Sequence, residues 1–370
     1  MVYDVGCIFY ADRNRADIAA LRETVPVRII RCSATQSGIA MPTTREPGTG
    51  RADLPPQGPP QRPFEGSPMG KAHARADSAR PGLVDRGLRL LLGSRVLPFV
   101  LRLKLNKLLC SGGPPVAYRT DVGGCIYQGM PHNLIDNHVY YLGMYEPAIA
   151  EAMRFCVKAM PDLGRCAFVD IGANTGLFTL VGAKLFACVH AFEPYPPVFA
   201  RLEEHIGLNG LETVNLYPLG LGAGQGDLPF IAPSPDNYGT GHFLGTGAGS
   251  VGSAGLRLPV ASGDQVLQHR SCAIGLVKLD VEGHEPQVLR GLADVLKTDQ
   301  PVVIMELNTT TKQAFGNIEA LMASFPTGYI PLAIRRKKCG FSVERFQWAK
   351  KQDNIVVVPA HRRAAFGPVA

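Results

Sequence analysis

The chain has 370 residues, 46% of them hydrophobic and 19% charged, enough apolar material for one large or two small domains and too much for a disordered chain. Its formal net charge of +7 is uneven: residues 1–110 carry 17 Lys/Arg against 9 Asp/Glu, and residues 111–370 carry 21 against 22. A near-neutral main body argues against a nucleic-acid-binding core, which would cluster basic residues on the domain itself.

No stretch of about 18 apolar residues is free of charge. Met1-Val-Tyr-Asp-Val lacks a basic region leading into an apolar one. Neither a transmembrane helix nor a secretory signal is expected, and the expected location is cytoplasmic. The nine cysteines lie at least ten residues apart, which excludes CxxC-type zinc or redox spacing. They fit small buried hydrophobes in a reducing compartment, and no metal site is expected.

In chain order, residues 1–31 read as a strand, a helix and a strand, either an edge addition to the main domain or a remnant of another one. Residues 32–82 are rich in Pro, Gly and Arg and read as a disordered linker, with Met69 an alternative start near its end. From residue 83 to 110, leucines recur at helical spacing among Arg86, Arg89, Arg95, Arg102, Lys104 and Lys107, and Pro98 divides the run into two short helices. They either pack on the main domain or form a basic amphipathic segment on an anionic membrane surface, a peripheral contact through residues 83–109.

The main domain is expected over residues 111–370. Asp136 to Tyr145 leads into Glu146-Pro147 and a helix over Ala148–Met160, with Glu146 a favourable acid at the helix N-terminus. A strand over Ala167–Ile171, a helix over about Thr175–Ala187 and a strand over Val189–Phe192 form a parallel βαβ unit. A helix over Pro196–Gly207 and a strand over Val214–Tyr217 follow. Periodicity is lost from Gly220 to Gly255, where seven of the last seventeen residues are glycine: either a mobile ligand-facing loop or a plain insertion. It resumes with strands over Leu256–Val260, Ile274–Asp280 and Val302–Glu306, and helices near Asp264–Gln268, from Pro286, and near Ile318–Phe325. Tyr329–Ile334 and Asn354–Val358, separated by the basic loop Arg335–Lys338, suggest an antiparallel hairpin on an otherwise parallel sheet.

Two clusters carry chemistry. In Asp170-Ile-Gly172-Ala-Asn174-Thr-Gly176 the glycines are spaced G-x-x-x-G, not the G-x-G-x-x-G of a dinucleotide loop. Glycine lets the backbone approach a ligand, the helix N-terminus favours an anionic group, and Asp170 can accept from a cationic amine. Glu193, at the end of the second strand, is placed to accept from a ribose diol. Amine, carboxylate and ribose together describe S-adenosylmethionine better than NAD. The second cluster, Lys278-Leu-Asp280-Val-Glu282-Gly-His284-Glu285, crowds polar groups at the carboxyl end of a buried strand expected beside the first, where open α/β sheets bind ligands.

From Tyr145 to Val358 the chain resembles the FkbM family of S-adenosylmethionine-dependent methyltransferases. The resemblance rests on Gly143-Met-Tyr-Glu-Pro147, Val169 to Thr179, Ala191-Phe-Glu-Pro194 and Val277 to Glu285. It implies a Rossmann-like, class I methyltransferase α/β fold: a mostly parallel seven-stranded sheet, helices on both faces, and an antiparallel last strand. It implies cofactor contacts at Asp170, Gly172, Asn174, Gly176 and Glu193, with Glu146 of the first block beside them. Pro218 to Gly222 departs from the family's alanine-containing turn. The expected reaction is O-methylation of a hydroxyl on a small molecule, saccharide or lipid-linked glycan. Asp280, Glu282 and His284 are the candidate catalytic residues. The rivals are a nicotinamide-dependent oxidoreductase and a non-catalytic membrane-surface protein retaining the fold.

Overall fold

A computed structural model describes residues 82–94, 96–110, 116–130, 132–244, 255–336, 341–350 and 354–367. The readings of residues 1–31 and 32–82, apart from Gly82, lie outside these, as do residues 245–254 of the glycine-rich stretch. Pro98 divides the leucine-rich run into α1 (Leu83–Gly93) and α2 (Phe99–Leu109), with Pro98 itself the N-cap of α2. A hairpin that sequence patterning did not suggest follows, β1 (Tyr118–Val122) and β2 (Cys125–Gly129). Its two-residue turn is Gly123-Gly124, both at positive φ as such turns require. Next come α3 (Leu134–Leu142), whose N-cap Asn133 accepts from the backbone N–H groups of Ile135 and Asp136, and α4 (Pro147–Ala159).

The central unit runs β3 (Ala167–Ile171), α5 (Leu177–Ala183), β4 (Cys188–Phe192), α6 (Pro196–Leu208) and β5 (Val214–Tyr217). The stretch that loses periodicity forms β6 (Gly220–Gly222), β7 (Gly226–Ile231) and β8 (His242–Phe243). These join β9 (Arg257–Ser262) in a small separate sheet of order β6-β9-β7-β8. The chain continues through α7 (Gly263–Val266), β10 (Ile274–Leu279), α8 (Glu285–Arg290), α9 (Ala293–Thr298) and β11 (Val302–Glu306). It ends with α10 (Thr309–Phe315), α11 (Ile318–Ala323), β12 (Tyr329–Arg336), β13 (Phe341–Arg345) and β14 (Asn354–Pro359).

The main sheet has the order β13-β12-β14-β11-β10-β3-β4-β5. It therefore has eight strands, not the expected seven. From β11 to β5 all neighbours are parallel. β14 lies antiparallel between β11 and β12, and β13 adds a second reversed strand at the edge. The expected pairing of the last two apolar runs is present, and β13 lies between them in sequence. Its Phe341 and Val343 are only half buried and alternate with polar residues, so no apolar run marks it, and Arg335 and Arg336 of the expected basic loop belong to β12.

Every residue of β3 is buried, and its side chains serve two cores in alternation. Phe168 packs with Met153, Leu180 and Leu202 from α4, α5 and α6. Val169 and Ile171 pack with Val288, Leu296 and Leu321 from α8, α9 and α11. Both faces being covered explains why the parallel strands read as continuous apolar runs. After β3 the connection goes to β4 on one side, while β10 lies on the other. This switch point opens a crevice at the carboxyl ends of β3, β4 and β10.

Candidate active site

The loop after β3 is shaped by two glycines. Gly172 has φ +72°, and a Cβ there would stand 1.9 Å from the carbonyl oxygen of Asp280, so only glycine lets the loop cross the end of β10. Gly176, at φ +90°, caps α5 where a Cβ would meet Leu202 of α6 at 2.5 Å. Between them Asn174, at φ 52°, donates its backbone N–H to Glu193 Oε2 at 3.0 Å and its side-chain amide to the Tyr238 carbonyl at 2.9 Å. Glu193 Oε1 accepts from the backbone N–H of Tyr195 at 2.9 Å. Burial pushes the Glu193 carboxyl up to about 7, against the pull of these two N–H groups.

Beneath the loop, Lys278 of β10 is held among acceptors. Its Nζ lies 3.1 Å from Asp280 Oδ2 and 3.8 Å from Asp170 Oδ1, and it donates to the Gly172 carbonyl at 3.4 Å. Burial alone would lower its pKa, but Asp280 and Asp170 outweigh that and hold it above the usual ammonium value. Asp170 is fully buried and accepts a hydrogen bond from the Thr179 hydroxyl at 2.7 Å. Burial raises its pKa, with Lys278 opposing.

The turn after β10 gathers acids. Carboxylate oxygens of Asp280, Glu282 and Glu306 lie within 4.8 Å of one another, an arrangement compatible with a hard divalent cation. The Asn308 amide donates to Glu306 Oε2 at 2.8 Å and Glu282 Oε2 at 3.2 Å. Burial, then the neighbouring Asp280 and Glu282, push Glu306 up to about 10. Glu282 is raised by burial and by Asp280. His284 is 5% exposed, and its ring lies 5.3 Å from that of Phe243. Its Nε2 has no hydrogen-bond partner among the described residues, and burial lowers the imidazole to about 4, leaving it neutral at physiological pH. Glu285 is fully buried and accepts from the backbone N–H of Val281 at 3.2 Å, closing the turn.

These groups surround a cleft with about 1050 Å³ of space, part of it open solvent at the mouth. Glu146, Gly172, Asn174, Glu193, Asp280, Glu282 and His284 line it. The structure thus brings together seven of the nine residues singled out in sequence. Asp170 and Gly176 stand behind the wall: the Asp170 carboxylate is engaged by Thr179 and Lys278, and Gly176 seats α5 on α6. Glu146 is the N-cap of α4 but makes no capping bond; its Oε1 accepts from the Asn354 amide at 3.3 Å. Sequence did not point to Tyr238, Phe230, Phe243 and Glu306, which are among the lining residues. The first three come from the stretch without periodicity. Glu306 ends β11 next to Asp280, so its place at a strand's carboxyl end was the available signal.

A second buried network steadies the glycine loop from behind. Asp136 of α3 is fully buried and accepts from the Tyr127 hydroxyl at 2.6 Å, the Met130 N–H at 3.0 Å and Arg201 at 3.0 Å. The Tyr127 hydroxyl also meets Thr175 Oγ1 at 3.0 Å, and His205 Nδ1 meets the Thr175 carbonyl at 2.7 Å. Hairpin, α3, α6 and loop are thereby tied into one polar cluster.

Residues 170–343 match the family model described as Methyltransferase FkbM domain. A hexuronic acid methyltransferase, AglP, of Haloferax volcanii is 32% identical over 137 residues, which is 36% of this chain and 53% of that protein. The chain thus spans about half the length of that relative. Methyltransferase 1 of Beauveria bassiana is 25% identical over 227 residues, covering 56% of this chain and 85% of that one. Among solved structures, Methyltransferase FkbM from Methylobacillus flagellatus aligns over 53% of this chain and 44% of its own, at 15% identity and a TM-score of 0.35. Residues 170–343 thus form a methyltransferase FkbM domain, which holds the loop after β3, Glu193 and the acid turn after β10.

Proposed function

We propose that this chain methylates a hydroxyl oxygen of a small molecule, a saccharide or a lipid-linked glycan, with S-adenosylmethionine as methyl donor. The observation that carries the reading is a single cleft with Glu193 and the Gly172–Asn174 loop on one side and Asp280, Glu282 and His284 on the other. The name of the Haloferax relative, a hexuronic acid methyltransferase, favours a sugar acceptor.

The residues fit the cofactor. Glu193 uses one lone pair on each oxygen for a backbone N–H and keeps the others for a ribose diol. Carboxylates outnumber cations along the cleft wall, which suits a ligand carrying a sulfonium and an amine. Bound S-adenosylmethionine supplies a methyl already activated for displacement, so the residues have to align the acceptor and take its proton. His284 is neutral and its Nε2 is unengaged, so it can accept a hydrogen bond from the acceptor hydroxyl, while burial weakens it as a base. Glu282, made more basic by burial, and Asp280, held by Lys278, are the other candidate bases and orienting groups. Phe230 and Phe243, both buried, add apolar surface to the cleft lining.

Labelled S-adenosylmethionine incubated with cell extracts should yield a methylated hydroxyl compound by mass spectrometry. With that acceptor, single-turnover transfer should fall about 10²–10⁴-fold in the variant lacking the true base. His284→Ala and Asp280→Asn would be compared, with S-adenosylhomocysteine affinity measured separately. Unchanged transfer in both would overturn these base assignments, and binding of NAD in place of S-adenosylhomocysteine would overturn the whole reading.

A further inference from the structure

Nine of the thirteen large apolar side chains that are exposed among the described residues fall within residues 83–109. Scattered exposed leucines are normal, but this concentration on two adjoining short helices is not. On α1, Asp85, Leu88, Arg89 and Leu92 turn inward. Leu83, Leu90 and Leu91 occupy the outer face with Arg86. On α2, Val100 and Leu108 share the outer face with Lys104 and Lys107. Val96, between the helices, is 85% exposed.

The charge on this face has one sign. Asp85 is the sole acid between residues 83 and 109, and it is turned into the protein, accepting from the hydroxyls of Tyr140 at 2.6 Å and Tyr141 at 2.5 Å. Arg89 lies over the Tyr140 ring, and Arg102 donates to the Leu92 carbonyl, so those two cations help hold the helices down. Arg86, Lys104 and Lys107 remain outward. We infer that the outer face of α1 and α2 is a docking surface for an anionic lipid bilayer, its leucines and valines entering the interface while Arg86, Lys104 and Lys107 meet the headgroups.

A second copy of the chain fits this face poorly. Two-fold pairing would set the cations of one copy against the same cations of the other, with no outward acid to relieve them. The preceding 82 residues hold 11 Lys/Arg against 8 Asp/Glu, so they bring no net negative complement either. Docking would also have a consequence for the cleft. α3 packs against α1 through Tyr140 and Tyr141 and contributes Ile135 to the cleft lining, so one helix joins the docking face to the site. A membrane-held acceptor would then be presented close to the cleft.

The test is co-sedimentation of the full chain with vesicles of phosphatidylcholine alone or mixed with phosphatidylglycerol, at low and high salt. The wild type should sediment with the anionic vesicles, far less with the neutral ones, and less at high salt. Lys104→Gln with Lys107→Gln should lower partitioning about 25-fold, near five-fold per cation. Leu90→Ser with Leu108→Ser should lower it about tenfold or more while the salt dependence persists. Circular dichroism and S-adenosylhomocysteine affinity should stay at wild-type values in all four substitutions, because these side chains lie outside the cleft. A wild type that remains in the supernatant with both vesicle types overturns the inference. So does a concentration-dependent dimer dissolved by the leucine variant, which would make a second copy the occupant. Ligand affinity reads the cleft and sedimentation reads α1 and α2, so failure of this inference and failure of the proposed activity are separable.

Discussion

Replacing Lys278 with methionine removes the cation that lies between Asp170 and Asp280 while keeping most of the side chain's volume. The two carboxylates differ in what happens next. The Asp280 side chain is 29% exposed and can be rehydrated, whereas that of Asp170 is fully buried and keeps only the Thr179 hydroxyl. Stranding a buried charge in this way costs about 3–5 kcal/mol, a large part of the roughly 5–15 kcal/mol that holds a typical domain together. The urea midpoint should fall by about 1 M or more at unchanged slope. Asp170 already has its pKa raised by burial, so the variant's deficit should deepen as pH rises above the ordinary carboxylate range, where the unfolded chain releases a proton that the folded one retains. Adding Asp170→Asn removes the stranded charge, so the double variant should be more stable than the sum of the two singles predicts. A Lys278→Met midpoint within error of wild type, or strict additivity in the double, would refute the argument that Lys278 is there to neutralise Asp170.

Gly172→Ala places a methyl 1.9 Å from the Asp280 carbonyl at a φ of +72°; calorimetry should show S-adenosylhomocysteine binding lost, with about 1–3 kcal/mol or more of stability. Affinity for S-adenosylhomocysteine should rise as pH increases through about 7, where Glu193 ionises and gains its full acceptor capacity, and Glu193→Gln should flatten that profile. The same raised pKa gives the opposite trend in stability: the contribution of Glu193 falls as pH climbs from its ordinary 4.5 to about 7. Methyl transfer should persist in a chelator, because Lys278 serves Asp280, Asn308 serves Glu282 and Glu306, and Glu306 stays protonated at neutral pH. Loss of transfer restored by magnesium would contradict this.

What could be read from the residues follows from the physics of burial. Strands β3, β4, β5, β10 and β11 are covered on both faces and so announce themselves as apolar runs, with β3, β5 and β11 falling at the expected boundaries. Strands β6 and β7 carry glycine and pair with distant β9, and the two-residue β8 pairs with β7, so no local period marks them. The Gly123-Gly124 pair is the local signal of the β1–β2 hairpin turn. At the site, the loop after β3 and the turn after β10 could be joined because both follow buried parallel strands. Position alone, however, did not distinguish a carboxylate facing the cleft, such as Glu193, from one sealed behind it, such as Asp170. That difference depends on Thr179 and Lys278, neighbours that only folding brings to Asp170.

The placement of β14 has a consequence for biosynthesis. β11, β12 and β13 all leave the ribosome earlier, yet β11 and β12 are not neighbours: the slot between them is filled by residues 354–359, which follow all three in the chain. Until that strand emerges, β11 and β12 each present an unpaired, apolar edge that can pair wrongly with another nascent chain. Asn354, the first residue of β14, then supplies the amide that meets Glu146 at the cleft. The same strand closes the sheet and secures Glu146 of the cleft wall. A chain released before β14 would leave β11 and β12 unpaired and Glu146 without the Asn354 amide, which makes its exposed edges a ready mark for chaperones and proteases.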